Sequence, residues 1–139
     1  MTPRQPCVHT AGHRWYAQHL LRPIFENGLD GIDMDYEPEG DPLSGSNLDY
    51  FVEYVGQFVG PMASPDNTFT YPDGFTIKGN PEMLLCIDYY GSAPSSNTNQ
   101  YTNLYVNQTY GGSPGGQPFG GCPAEKMVYT ENVGDNWKK

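Results

Sequence analysis

Asp33, Asp35 and Glu37 occupy every second position of the segment Asp30-Gly-Ile-Asp-Met-Asp-Tyr-Glu37, with Ile32, Met34 and Tyr36 between them. In an extended strand alternate side chains leave opposite faces, so the three carboxyls share one face and the other is largely apolar. At about 3.3 Å per residue, Asp33 and Glu37 lie roughly 13 Å apart, with Asp35 between them. Carboxylates this close repel one another, and at least one is expected to hold a proton near neutral pH. Such a row suits acid/base chemistry or a cationic ligand. Two plainer readings stand beside it: the solvated face of an antiparallel strand, and a calcium loop. Leu29, Gly31 and Ile32 favour a buried strand of an α/β unit over the first. The EF-hand loop needs alternate acids, then a Gly, then a Glu at its twelfth position. Here Glu37, Pro38 and Glu39 follow instead.

The elements that must hold this row are legible around it. Residues 1–14 have neither helical nor strand periodicity and read as a ragged start. Trp15 to Asn27 is expected to be helical, with Pro23 as a kink or new start and Gly28 as the stop. Leu29 to Tyr36 is the acidic strand. After a turn-rich loop, Ser46 or Asn47 is placed to cap a helix over about Leu48–Val59, whose stripe is Leu48, Phe51, Val52, Val55, Phe58 and Val59. Residues 63–81 read as a long loop with a small hairpin around Pro72-Asp73-Gly74. Met83–Asp88 is a continuous apolar run of the kind buried parallel strands show. Leu104–Tyr110 alternates Leu104, Val106, Gln108 and Tyr110, and Lys126–Thr130 reads as a last strand. This order predicts a parallel α/β architecture.

At 139 residues there is room for one domain and one modest core. Seven basic against 16 acidic residues leave a formal charge of −9, which argues against nucleic acid or an anionic membrane as partner. No stretch approaches the roughly 20 apolar residues of a membrane span, and the N-terminus lacks a signal-peptide pattern. Eleven Tyr and 17 Gly, with Asn, Ser and Thr crowding the second half, suit polar neutral ligands such as sugars. Cys7, Cys86 and Cys122 form no Cys-x-x-Cys pair, so a structural zinc site is not expected, and no residue is assigned as a metal ligand. Cys86, inside Leu84-Leu85-Cys86-Ile87, reads as a small core residue.

The segment Asp30-Gly-Ile-Asp33-Met-Asp35-Tyr-Glu37 resembles the catalytic signature of family-18 glycoside hydrolases, the chitinases and endo-β-N-acetylglucosaminidases. Two later segments resemble the endo-β-N-acetylglucosaminidase branch in the expected order. Asn107-Gln108-Thr109-Tyr110 is similar to its Gln-x-Tyr strand, and Val128-Tyr129-Thr130-Glu131-Asn132, with Asp135 and Trp137, to the strand after it. The resemblance spans residues 15–139 and implies a partial family-18 catalytic domain on a partial (β/α)8 TIM barrel, approximately strands four to seven. A whole barrel takes about 250 residues, so strands one to three and eight lack counterparts.

The activity this implies is hydrolysis of β-1,4 bonds next to N-acetylglucosamine, on N-glycan chitobiose cores or chitin-like chains, by substrate-assisted retention. Glu37 would be the general acid and later the base, and the substrate's 2-acetamido oxygen the nucleophile. Asp35 would hold the acetamide N–H and balance the oxazolinium charge, with Asp33 tuning Asp35. Tyr110 and Gln108 would contact the acetamido group, with Tyr36, Glu131 and Asn132 as further substrate contacts. Asp30 is read as holding the strand start. The partner would be an N-acetylglucosamine-containing glycan, no cofactor is implied, and the resemblance points to an extracellular, periplasmic or cell-surface location. The alternatives are a catalytically inactive, chitinase-like glycan-binding protein and an acidic calcium-binding module. The open edges of a part-barrel also predict self-association, and its missing substrate floor and subsites predict that this chain alone is a poor enzyme.

Overall fold

The computed structural model describes residues 10–37, 45–90, 93–108 and 122–130. Its elements are α1 (Thr10–Glu26), β1 (Gly31–Tyr36), α2 (Ser46–Val55), β2 (Thr68–Thr70), β3 (Thr76–Lys78), β4 (Leu84–Tyr89), β5 (Leu104–Asn107) and β6 (Met127–Tyr129). Strands β1, β4, β5 and β6 form one sheet in that order, and every pair in it is parallel. The α/β class and the parallel pairing expected from the element order are therefore present. Between β4 and β5 the described chain makes only a single 3-10 turn, Ser96–Thr98, instead of a crossover helix. Among the described residues no helix is long and apolar enough to cross a membrane.

The core lies between one face of the sheet and the two helices. α1 contributes Ala17, Leu21 and Ile24, α2 contributes Leu48, Phe51, Val52 and Val55, and the sheet adds Tyr36, Leu85, Ile87, Tyr89 and Tyr105. The apolar stripe of α2 is thus where its spacing puts it, although the helix stops at Val55 instead of Val59. Past Gly56 the backbone tightens into three-residue turns, Gln57 N–H to Tyr54 C=O (3.2 Å) and Phe58 N–H to Val55 C=O (2.9 Å). Phe58 and Val59 stay buried in those turns, so the stripe outlasts the helix. Nor does Ser46 or Asn47 cap α2: the N-cap is Gly45 at φ 61°, with no side-chain bond.

α1 begins at Thr10, earlier than Trp15, and passes unbroken through Pro23. His13 stacks on Tyr50 of α2 with ring centroids 6.3 Å apart, so tertiary packing holds a first turn that lacks apolar periodicity. Its end follows expectation. Gly28 adopts φ 61°, and Leu29 N–H reaches back to Ile24 C=O at 2.9 Å, the six-to-one bond of a Schellman stop. The hairpin at Pro72-Asp73-Gly74 also forms, with Phe69 facing Ile77 across β2 and β3.

Gly31 opens β1 at φ 156°, and a Cβ there would lie 2.0 Å from the Leu84 carbonyl oxygen. Only glycine lets β1 approach β4 this closely at their shared lower end. Gly31→Ala is expected to cost about 2–4 kcal/mol through backbone strain and overpacking, read as a lower denaturant midpoint at unchanged slope. An unchanged midpoint would show that the two strands can separate there without penalty.

Candidate active site

Alternation along β1 sends Ile32, Met34 and Tyr36 toward the helices and leaves Asp33 and Asp35 on the uncovered face. β4 alternates in phase with it. Leu85 and Ile87 are fully buried beneath the helices, whereas Leu84 is 45% exposed and Cys86 and Asp88 are half-buried on the acid face. The register sets Asp33 beside Cys86 and Asp35 beside Asp88, and then Cys86 beside Leu104 and Asp88 beside Val106. Cys86 is therefore not the core residue its apolar neighbours suggested. It belongs to the face that no described helix covers.

Parallel strands bring all their C-terminal ends to one side of the molecule, the side where α/β proteins place their ligands. Asp35, Asp88 and Gln108 collect there. Gln108 follows β5, and its backbone N–H donates to Tyr89 C=O at 3.0 Å. Its side-chain Nε2 donates to Asp35 Oδ1, also at 3.0 Å. Because β4 lies between β5 and β1, this amide crosses two strand spacings, roughly 9–10 Å of backbone separation, and passes over Asp88. Glu37 comes one residue after β1 and its side chain is exposed. Tyr90, one residue after β4, is 48% exposed, and its N–H donates to Tyr36 C=O at 3.1 Å.

The row behaves as coupled carboxyls should. Asp33 stays open to solvent, yet desolvation by the surrounding sheet pushes its carboxyl above the usual Asp range, and the charge on Asp35 adds to this. Asp88 is pushed the same way, first by burial and then by Asp33 and Asp35, while the Gln108 amide opposes the shift. Burial and the neighbouring Asp33 raise the Cys86 thiol as well. Asp88 Oδ1 is enclosed and has no hydrogen-bond partner among the described residues. The arrangement can therefore hold charge and proton on different carboxyls of one row, and present both to a ligand at the strand ends.

Of the residues expected at the site, Asp33, Asp35 and Gln108 come together. Tyr36 does not join them. Its odd-even position turns it into the core, 5% exposed, where it braces the sheet against the helices and cannot reach a ligand on the acid face. Asp30 ties the strand start, its carbonyl accepting from Leu84 N–H at 2.8 Å. Tyr110, Glu131 and Asn132 lie outside the described residues. Asp88 is the member that the sequence reading passed over. Its signal is an acid ending the apolar run Leu84–Ile87, in phase with Cys86.

Among the described residues no group of three or more His, Cys, Asp or Glu is arranged to hold a metal ion. A cleft of about 430 Å³ runs beside β1, lined by Tyr16, Leu20, Leu29 and Met34 together with Asp33 and Asp35. A larger one, about 620 Å³, is lined by Gly28, Asp30 and Met83. Those residues precede β1 and β4, so it sits at the opposite strand ends from Gln108. Comparison of the chain with protein-family models, with curated proteins and with solved structures finds no match.

Proposed function

We propose that this chain carries the acid row of a glycoside hydrolase acting next to N-acetylglucosamine, built on part of a (β/α)8 barrel. One observation carries the reading: Asp33 and Asp35 lie on the sheet face away from the helices, toward the C-terminal strand ends, with Glu37 next in line. A barrel active site needs that placement, helices outside and chemistry inside at the upper rim. In this reading β1, β4, β5 and β6 correspond to barrel strands four to seven.

Glu37, exposed at the rim, protonates the leaving glycosidic oxygen and later deprotonates the attacking water. The substrate's acetamido oxygen closes on the anomeric carbon, and Asp35 accepts the acetamide N–H and balances the oxazolinium charge. Asp33 stores a proton beneath it, as its raised carboxyl suits. Gln108 holds Asp35 in place through the 3.0 Å bond. The test is incubation with an N-glycan bearing a chitobiose core, followed by mass spectrometry and anomer analysis. Cleavage between the two N-acetylglucosamines with retained β configuration is expected. An inverted product would overturn the mechanism, and no cleavage would overturn the activity.

A second reading, an inactive glycan-binding protein of an extracellular or cell-surface setting, is favoured by one observation. β1 has no neighbour on its outer side among the described strands, so that rim of the site is open. Binding without release by both wild type and Glu37→Gln would select it. The same open edge predicts self-association, because unpaired strand N–H and C=O groups recruit other chains. Exposed Leu29, Leu84 and Val128, at other places on the surface, add apolar area. The charge of −9 opposes assembly at low salt, so light scattering should report a mass that grows with protein and salt concentration. A monomer at every salt concentration would contradict this expectation.

A further inference from the structure

We propose that Asp88 is a positioning residue for Asp35: it shares a proton with the row across the β1–β4 pair and leaves Asp35 to carry the charge offered to a ligand. The geometry is that of direct register partners on adjacent parallel strands, with backbones about 4.8 Å apart and side chains on one face. Two carboxyls so placed resist simultaneous ionisation. Their surroundings then decide which one keeps the proton. The Gln108 amide donates to Asp35 Oδ1 at 3.0 Å and also bears on Asp88, where it opposes the upward shift without cancelling it. Asp88 Oδ1 is enclosed and has no partner among the described residues, so a bare charge there is the costlier choice.

No described cation competes for this role. The titratable groups facing Asp88 are Asp33 and Asp35 of β1, with Cys86 and Tyr90 on its own strand line and Glu37 beyond β1. Among the described residues β5 and the position after it offer only Leu104, Val106 and Gln108, and β6 offers Val128. Lys126 is committed elsewhere, its Nζ donating to the carbonyls of Asn99 and Thr102 at 2.7 and 2.6 Å. The upward displacement of Asp88, caused by burial and then by Asp33 and Asp35, agrees with the geometry.

This role deepens the hydrolase reading and rests on it for the activity measurement alone. Carboxyl-detected NMR titration of the whole chain tests it without turnover. Asp88 should titrate above the ordinary Asp value of about 3.9, and Asp35→Asn should move Asp88 downward because a like charge is gone. An ordinary Asp88 midpoint, or an Asp88 midpoint untouched by Asp35→Asn, would overturn the proposal. Stability gives a second readout that needs no assignment. The folded chain binds the Asp88 proton more tightly than the unfolded one, so wild type loses stability as pH rises from the unfolded Asp value through the raised one. Asp88→Asn should remove that part of the decline, and an identical pH dependence in both chains would contradict it. On a chitobiose-core glycan, Asp88→Asn should move the basic limb of the kcat/KM profile upward, and a change in KM alone with an unmoved profile would reduce Asp88 to a structural role. Absence of glycan release by wild type would sink the hydrolase reading, and the titration would still decide Asp88.

Discussion

Replacing Glu37 with Gln is expected to cut glycan hydrolysis by roughly 10²–10⁴ while leaving glycan affinity nearly unchanged. Gln keeps the length and one acceptor oxygen of Glu, so contacts made by shape survive. It cannot deliver a proton to the leaving oxygen, and it cannot later take one from water. Both halves of a retaining reaction therefore slow together. The side chain is exposed beyond the end of β1, so the substitution disturbs no packed core and should not lower stability. Steady-state release of N-acetylglucosamine-terminated product, with binding measured separately, checks it. Equal turnover by wild type and Glu37→Gln would remove Glu37 from the chemistry. A loss of binding matching the loss of turnover would make it a contact residue only.

Asp35→Asn is expected to lower turnover by about 10²–10³, in the range for loss of one preorganised charge stabiliser. The reasoning differs from that for Glu37. An Asn side chain keeps Oδ1, so the Gln108 amide at 3.0 Å retains an acceptor and the rotamer is held. What disappears, on the proposed mechanism, is the negative charge that would face the oxazolinium ion. Asp35→Ala loses both charge and acceptor and also frees the Gln108 amide, so it should be more damaging than Asp35→Asn. Substrates lacking the 2-acetamido group form no oxazolinium and should show no difference between wild type and Asp35→Asn. A uniform loss on all substrates would indicate that Asp35 acts through the fold.

The face of the acid row was legible because Ile32, Met34 and Tyr36 alternate with the acids, and a period of two admits one partition between core and solvent. α2 was legible for the same reason at a period of 3.6, and Gly28 and Pro72-Asp73-Gly74 marked a helix stop and a turn by local backbone demands. Asp88 was not legible, because nothing local to a parallel strand fixes its register. The close approach at Gly31 and Leu84, separated in the chain by α2, β2 and β3, makes Asp35 and Asp88 neighbours. The misreading of Cys86 has a related origin. The uncovered face is apolar at Leu84 and acidic only above it, so Leu84–Ile87 shows no alternation although Leu85 and Ile87 alone are buried. The first turn of α1 and the early end of α2 were set by contacts with Tyr50 and by three-residue turns, neither of which leaves a periodic trace.

The most direct measurement is a ¹⁵N NMR titration of the intact chain with N-acetylchitooligosaccharide, which reports the ligand and its place without requiring turnover. The expected result is saturable shifts at Asp33, Asp35, Cys86, Asp88, Tyr90 and Gln108, with Leu85 and Ile87 beneath the sheet far less affected. The contradicting result is no saturable shift at the acid row. Shifts confined to the cleft of about 620 Å³ at the opposite strand ends would contradict it equally.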